Sequence, residues 1–409
     1  MSKIKGITAR EIKDSRQKPT VEVELETEHG VFIASVPSGA STGRNEALEL
    51  RDEDGGVQMA IANINEIITP KVKNQHTENQ EGIDKIMIYA DGTENKSKLG
   101  ANATLAVSLA VCRAGAEAKK VPLYQHIAEL SGIKIKNPVF RPPLPMFNIL
   151  NGGAHVHPRT KLDIQEFMIV PKKKSFAENL VLGSKIYQNL AELMKSNFGA
   201  VPEMGDEGGF AAPISSAEQA LLLLNAACEG SVDVRFALDC AASGFYKDGK
   251  YDLEGREMTR SELLKFYEDL IGRFPLISIE DPFSEDDWEG FKEITALLSS
   301  KITVVGDDLT TTNINRIKEA HNKSACNGLI LKLNQIGTVS ETIEASNLAK
   351  SFGWKTIVSH RSGETLDSFI ADLAVGTGAD YLKSGASSKE ERMVKYNRLL
   401  EIEQELNQK

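Results

Sequence analysis

The chain lacks any close pair of cysteines. Cys112, Cys228, Cys240 and Cys326 stand far apart and form no CxxC, so neither a zinc knuckle nor a disulfide framework is indicated. They read as reduced, buried thiols. No apolar run approaches the roughly 18 residues that cross a bilayer. The opening residues, Met1 to Lys5, lead into mixed polar sequence without an apolar signal core. A soluble, cytoplasmic protein with no membrane partner is expected. An excess of positive charge is missing too. Lys and Arg number 48 against 58 Asp and Glu, a net charge of −10. That balance disfavours nucleic acid as a partner, because nucleic acid is a polyanion. No low-complexity tract or solenoid repeat is visible. What is present suits a globular enzyme: 41% hydrophobic and 26% charged residues. The length of 409 residues allows two or three domains and a large core.

Two rhythms divide the chain. In the first, Val21, Val23 and Leu25 alternate with Glu22 and Glu24, the period of a half-buried strand. His29-Gly30 supplies a turn, and Val31 to Val36 returns as a second strand. Asn102 to Ala118 is apolar on nearly all sides and is expected to be a buried helix. The prolines at 138, 142, 143 and 145 then interrupt regular patterns and suggest a connection between domains. We therefore divide the chain into an N-terminal α+β domain, 1–135, and a C-terminal domain, 136–409.

In the second rhythm, short apolar runs each end in a polar residue. They end at Asp239, Glu280, Asp307, Lys332, His360 and Lys383, and the last five recur every 23 to 28 residues with amphipathic stretches between them. That is the βα period of a parallel barrel, whose chemistry gathers at the carboxyl ends of the strands. Taken singly, a carboxylate at a strand end is often a helix cap, and a lysine there snorkels to the surface. Three acids and two lysines converging on one mouth would be costly unless something neutralises them. Carboxylates without a Cys or His cluster suit a hard, oxygen-loving divalent cation, magnesium foremost. Of two lysines at such a site, one can be deprotonated and serve as a base. A lysine base beside a cation suits removal of a proton α to a carboxylate.

The motifs taken together resemble the enolase family. They are Pro37-Ser38-Gly39-Ala40-Ser41-Thr42-Gly43, Asn151-Gly152-Gly153, Ile164-Gln165-Glu166-Phe167-Met168 and Gly205-Asp206-Glu207-Gly208-Gly209, followed by Leu238-Asp239-Cys240-Ala241 and Ser278-Ile279-Glu280-Asp281-Pro282. Asp307-Asp308-Leu309-Thr310, Leu331-Lys332-Leu333-Asn334-Gln335-Ile336-Gly337, Ser359-His360-Arg361-Ser362-Gly363-Glu364-Thr365 and Lys383-Ser384-Gly385-Ala386 complete the series. The resemblance covers nearly the whole chain. It implies an α/β protein in which the N-terminal α+β domain caps an atypical (β/α)8 TIM-like barrel. It also implies the reversible dehydration of 2-phospho-D-glycerate to phosphoenolpyruvate in glycolysis and gluconeogenesis, two magnesium ions per active site, and a homodimer or octamer.

Residue by residue, the resemblance makes Lys332 the base and Lys383 the second cation. Such a Lys base with magnesium is a known pattern of this superfamily. Glu207 becomes the general acid, assisted by Glu166. Asp239, Glu280 and Asp307 would hold the first magnesium, and Ser41 the second. Arg361 and Ser362 would grip the phosphate, with Gln165, Ser359 and His360 lining the pocket. The family's loop histidine falls on His155 when counted from Gly153, and on His157 when counted back from Glu166. The choice made is His155. Two departures stand out. Gln17-Lys18 replace the family's usual Gly-Asn, and Gly244 replaces a glutamate. Asp308 is read as a cap for the following helix, and His126 and His321 as packing or surface residues. Two other readings compete: another proton-abstracting enzyme of the superfamily, and a catalytically idle binding protein.

Overall fold

The alternation around Val21 makes one face of a strand apolar, and a computed structural model of the chain, which describes residues 2–40, 43–134, 142–156 and 160–408, buries that face. Strand β2 (Pro19–Thr27) lies between β1 (Gly6–Lys13) and β3 (Gly30–Ser35) in an antiparallel sheet. Val21, Val23 and Leu25 point inward, while Glu26 is exposed. The sheet packs on the helix Ala101–Lys119. That helix also touches the helices Gln80–Asp91 and Val339–Ser351, which explains why it is apolar nearly all round.

The second rhythm becomes a closed eight-stranded barrel. Its strands are β4 (Leu144–Asn151), β5 (Glu166–Pro171), β6 (Val234–Asp239), β10 (Leu276–Glu280), β11 (Thr303–Gly306), β12 (Gly328–Leu331), β13 (Lys355–Ser359) and β14 (Tyr381–Lys383). A small sheet of β7 (Tyr246–Lys247), β8 (Lys250–Leu253) and β9 (Arg256–Met258) intervenes after β6. Met146, Met168, Val170, Ala237, Val305, Ile330 and Ile357 fill the barrel interior as a cluster of their own. Side chains filling the lumen make it a core, not a pore. The protein is thus an α/β barrel with an N-terminal α+β unit against it.

Two features depart from expectation. The period implied parallel strands, yet β5 runs antiparallel to both β4 and β6. Among the described residues only the short 3-10 turn Gly153–His155 separates β4 from β5, so the βα period had no purchase there. The proline cluster also does not lie wholly in a connection, because Pro145 pairs with Leu382 inside β4. At the second position of a strand its missing N–H costs little. The boundary drawn at 135/136 falls outside the described residues.

Where the family carries glycine, Gln17 adopts a φ of 64°. A side chain there costs roughly 1–2 kcal/mol. The turn is held regardless, because Asp14 accepts hydrogen bonds from the backbone N–H groups of Arg16 and Lys18.

The helix Leu123–Leu130 buries His126, and neither of its ring nitrogens has a hydrogen-bond partner. Its role is packing, as expected. Burial pushes its pKa down to about 4. An unfolded histidine takes up its proton near 6.5, so between those values the unfolded chain binds more protons than the folded one. Stability therefore falls as the pH drops from about 6.5 to about 4. We expect His126→Gln to remove up to about 1.4 kcal/mol of that loss per pH unit. Urea unfolding at pH 7 and pH 5 checks it, and an equal loss in both proteins would clear His126.

Candidate active site

The barrel gathers its functional groups at one mouth. Asp239, Glu280 and Lys383 end β6, β10 and β14, and Asp307, Lys332 and His360 follow β11, β12 and β13 directly. Glu166 begins β5 instead. Because β5 is antiparallel, its first residue lies beside Asp239, the last of β6. Glu207 comes from the loop after the helix Phe176–Phe198. His155, Gln165, Glu166, Glu207, Asp239, Lys332, Ser359, His360, Arg361, Ser362 and Lys383 line one small cavity, with room for about 20 Å³ of solvent. A wider groove of about 540 Å³ lies by the N-terminal sheet, but Arg113 and Asp367 there are paired with each other.

Lys383 stands at the centre. Its Nζ is 2.8 Å from Asp239 Oδ2, 2.8 Å from Glu280 Oε2 and 3.2 Å from Glu166 Oε2. Burial alone would lower its pKa, but Asp239, Glu166 and Glu280 overcome burial and hold it well above the usual lysine value. Lys332 is paired with Asp307. Burial is the largest single effect and pulls down, but Asp307 and Glu280 together outweigh it, so Lys332 is held as ammonium. Burial raises Asp307, and Lys332 more than reverses this. Gln335 donates to the other Asp307 oxygen at 2.9 Å.

Beside Lys383 stand Glu166 and Glu207. Glu207 Oε1 lies 3.5 Å from His155 Nε2 and 3.3 Å from His360 Nε2. Its Oε2 accepts from Asn148 at 2.8 Å. Burial would raise the Glu207 pKa, but His155 and His360 bring it well below the carboxylate range. Glu166, 3.7 Å from the same His155 nitrogen, goes the other way. Burial and the Glu207 charge push it up to about 7. Of the two carboxyls, Glu166 is the one that takes up a proton near neutral pH, and His155 between them, against burial, has its own pKa raised by both.

A third group faces the N-terminal unit. Ser38 exchanges backbone hydrogen bonds with Gly363 at 2.8 and 2.9 Å, and Ala40 N–H donates to Ser362 Oγ at 2.6 Å. Arg361 pairs with Glu46 at 2.8 Å and donates to Asn334 at 3.0 Å. Ser41 and His157 lie outside the described residues, so the geometry bears on His155 alone. Asp308 does not cap the following helix; Asn313 does. Asp308 sits instead beside Asp307 and Asp281. The two carboxylate oxygens of Asp281 accept the backbone N–H groups of Asp307 and Asp308 at 2.9 and 2.7 Å.

The residues fit a hard cation. Asp239 and Glu280 already share one positive charge, that of Lys383, and Glu280 Oε1 is buried without a hydrogen-bond partner. All-oxygen donors of this kind suit magnesium. Among the described residues, the carboxylate trio whose oxygens come within 4.8 Å of one another is Asp281, Asp307 and Asp308. Asp239, Glu280 and Asp307 are spread more widely around the lysines.

Sequence reasoning missed several residues here. Gln335 and Asp281 lie inside motifs already recognised, so position within the motif was an available signal. Glu46, three residues after Gly43, carried a weaker one. Asn148 carried none, nor did Arg392, which reaches His360 from the helix Glu390–Asn407, since each reads as an ordinary polar residue of its element.

The fold and site together define a barrel enzyme whose mouth gathers carboxylates able to hold a cation and lysines beside them. Residues 4–127 match the family model described as "Enolase, N-terminal domain", and residues 140–409 match "Enolase, C-terminal TIM barrel domain". The enolase of Elusimicrobium minutum is 49% identical, with 100% of this chain and 97% of that protein covered. The chain belongs to the enolase family.

We expect Lys383→Met to cost about 3–5 kcal/mol at pH 7, because it strands buried carboxylates without their cation. The deficit should shrink in acid as those carboxyls take up protons. Urea unfolding at pH 7 and pH 5 measures both effects, and a variant as stable as the parent would show that Lys383 is not the counter-charge.

Proposed function

We infer that the chain is a phosphopyruvate hydratase, which interconverts 2-phospho-D-glycerate and phosphoenolpyruvate. The observation that carries this is one cavity holding Lys332, Lys383, Glu166, Glu207 and His155 in a chain whose whole length matches one family.

In the dehydration, Lys332 Nζ takes the proton from C2. The amine is available for this only when the Asp307 charge is engaged elsewhere, since that charge is what holds its proton. Asp239, Glu280 and Asp307 would hold one magnesium ion, and Ser41 would help hold the second. Bound magnesium supplies positive charge where loss of the C2 proton leaves negative charge. Lys383 holds the substrate and adds to that charge. The C3–O bond then breaks, and the hydroxyl leaves as water with a proton delivered through Glu207. The proton held on Glu166 reaches Glu207 by way of His155, which lies within 4 Å of both. Base and acid stand on different loops, so they address different sides of the substrate. Arg361 and Ser362 grip the phosphate, where a guanidinium matches two oxygens at once. For Arg361 this means exchanging Glu46 for the phosphate. Gln165, Ser359 and His360 complete the wall.

The domain division near residue 135, a cytoplasmic location, and assembly into dimers or octamers belong to the same reading. No helix among the described residues is long and apolar enough to cross a membrane.

Purified chain mixed with 2-phosphoglycerate and magnesium should produce a rise in ultraviolet absorbance from the conjugated product, and a chelator should abolish it. No rise, or a rise indifferent to chelator, defeats the assignment. Lys332→Ala is expected to lower kcat by roughly 100- to 10,000-fold, the usual worth of a general base. Near-normal turnover would remove Lys332 from that role.

A further inference from the structure

The C-terminal helix Glu390–Asn407 carries two buried cations, Arg392 and Lys395. Arg392 sits in the first turn, where the helix dipole disfavours positive charge. Its presence there does not serve the helix. Among the described residues no carboxylate hydrogen-bonds to its guanidinium; the nearest carboxylate oxygen, on Glu391, is 3.9 Å away. Its donors go instead to the active-site loops. Nη1 reaches His360 Nδ1 at 2.6 Å and the Arg361 carbonyl at 2.6 Å. Nη2 donates to the Ser362 carbonyl at 2.6 Å and the Asp206 carbonyl at 3.1 Å. Gly385, at a φ of 73°, lets these pieces meet, since a Cβ there would lie 2.6 Å from the Glu207 carbonyl oxygen and 3.1 Å from Arg392 Cδ.

A guanidinium has five N–H donors and no acceptor. The ring nitrogen facing it must therefore present its lone pair. The single proton of a neutral His360 is then on Nε2, the nitrogen 3.3 Å from Glu207 Oε1. We propose that Arg392 is a positioning residue that locks His360 in the Nε2–H tautomer, so that the ring offers Glu207 a donor and not a competing base. The catalytic consequence rests on the dehydratase reading; the tautomer does not. With a lone pair on Nε2, His360 would compete for the proton meant for the leaving hydroxyl. Burial and the Arg392 charge, against the pull of Glu207, push the His360 pKa down to about 4, which agrees with a neutral ring. Lys395 supports the same segment from one turn on. Its Nζ donates to the Thr365 carbonyl at 2.6 Å and pairs with Glu364 at 2.8 Å, and Glu364 accepts the Arg361 backbone N–H at 3.1 Å.

The test is nitrogen NMR of the full chain labelled with 15N-histidine, with the His360 signals assigned by their loss in His360→Gln. The expected spectrum shows a protonated Nε2 and an unprotonated Nδ1 near neutral pH. The reverse tautomer overturns the proposal. In Arg392→Lys and Arg392→Met we expect mixed or reversed tautomers and a kcat lower by roughly 100-fold, the cost of a misplaced catalytic group, with KM moved far less. A purely structural role would lower the melting temperature but leave kcat per folded site and the tautomer unchanged, and that result also overturns it. If both variants fail to fold, the wild-type spectrum still decides. An Nε2–H spectrum in a chain that does not turn over 2-phosphoglycerate would sink the dehydratase reading and leave the lock standing.

Discussion

Everything at the barrel mouth depends on two buried ammonium groups balancing a ring of carboxylates. Asp239, Glu280 and Glu166 surround Lys383, and Asp307 holds Lys332. Removed from water, such charges each cost several kcal/mol unless they are paired. The pairing keeps the cluster folded and also sets its chemistry. Other neighbours divide the acids: His155, His360 and Arg392 keep Glu207 ionised, while burial and the Glu207 charge push Glu166 up to about 7. Placing two carboxyls in environments that drive their proton affinities apart is how a site assigns acid and base at one pH.

That ring exists because strands of both directions deliver residues to one rim. Seven strands arrive with their carboxyl ends there, and β5 contributes its amino end by running backwards. Loops supply the rest. His155 and Glu207 come from loops on the barrel, while Ser38 and Ala40 reach the mouth from the N-terminal unit by hydrogen bonds to Gly363 and Ser362. The last helix then ties the 206 and 360–362 segments together through Arg392 and holds the 385 segment through Tyr396. A device of this kind places rigid support behind groups that must hold their geometry to a fraction of an ångström.

Much of this was legible beforehand. The alternation in β2, the buried helix Ala101–Lys119 and the six parallel strand ends all follow from periodicity, because one buried face imposes one spacing. Every expected site residue that the structure describes comes to the same mouth. What escaped reading had a common cause. Among the described residues strand β5 follows only a short 3-10 turn, Pro145 sits where a strand tolerates it, and Asp308 looked like a cap only because acids so often are. Glu46, Asn148 and Arg392 act across more than fifty positions in sequence or on a helix that reads as solvent-facing.

The order of residues alone determined which chemistry the chain could carry: the acids, the lysines and the strand period that sends them to one rim. Local spacing encodes these, since side-chain direction alternates along a strand and turns with a helix. Only the tertiary structure decided which group is charged, which carboxyl keeps the proton and which way His360 faces. Those properties come from burial and from neighbours brought together across the fold, and electrostatic strength in a low-dielectric interior is set by distance in space, not by distance along the chain.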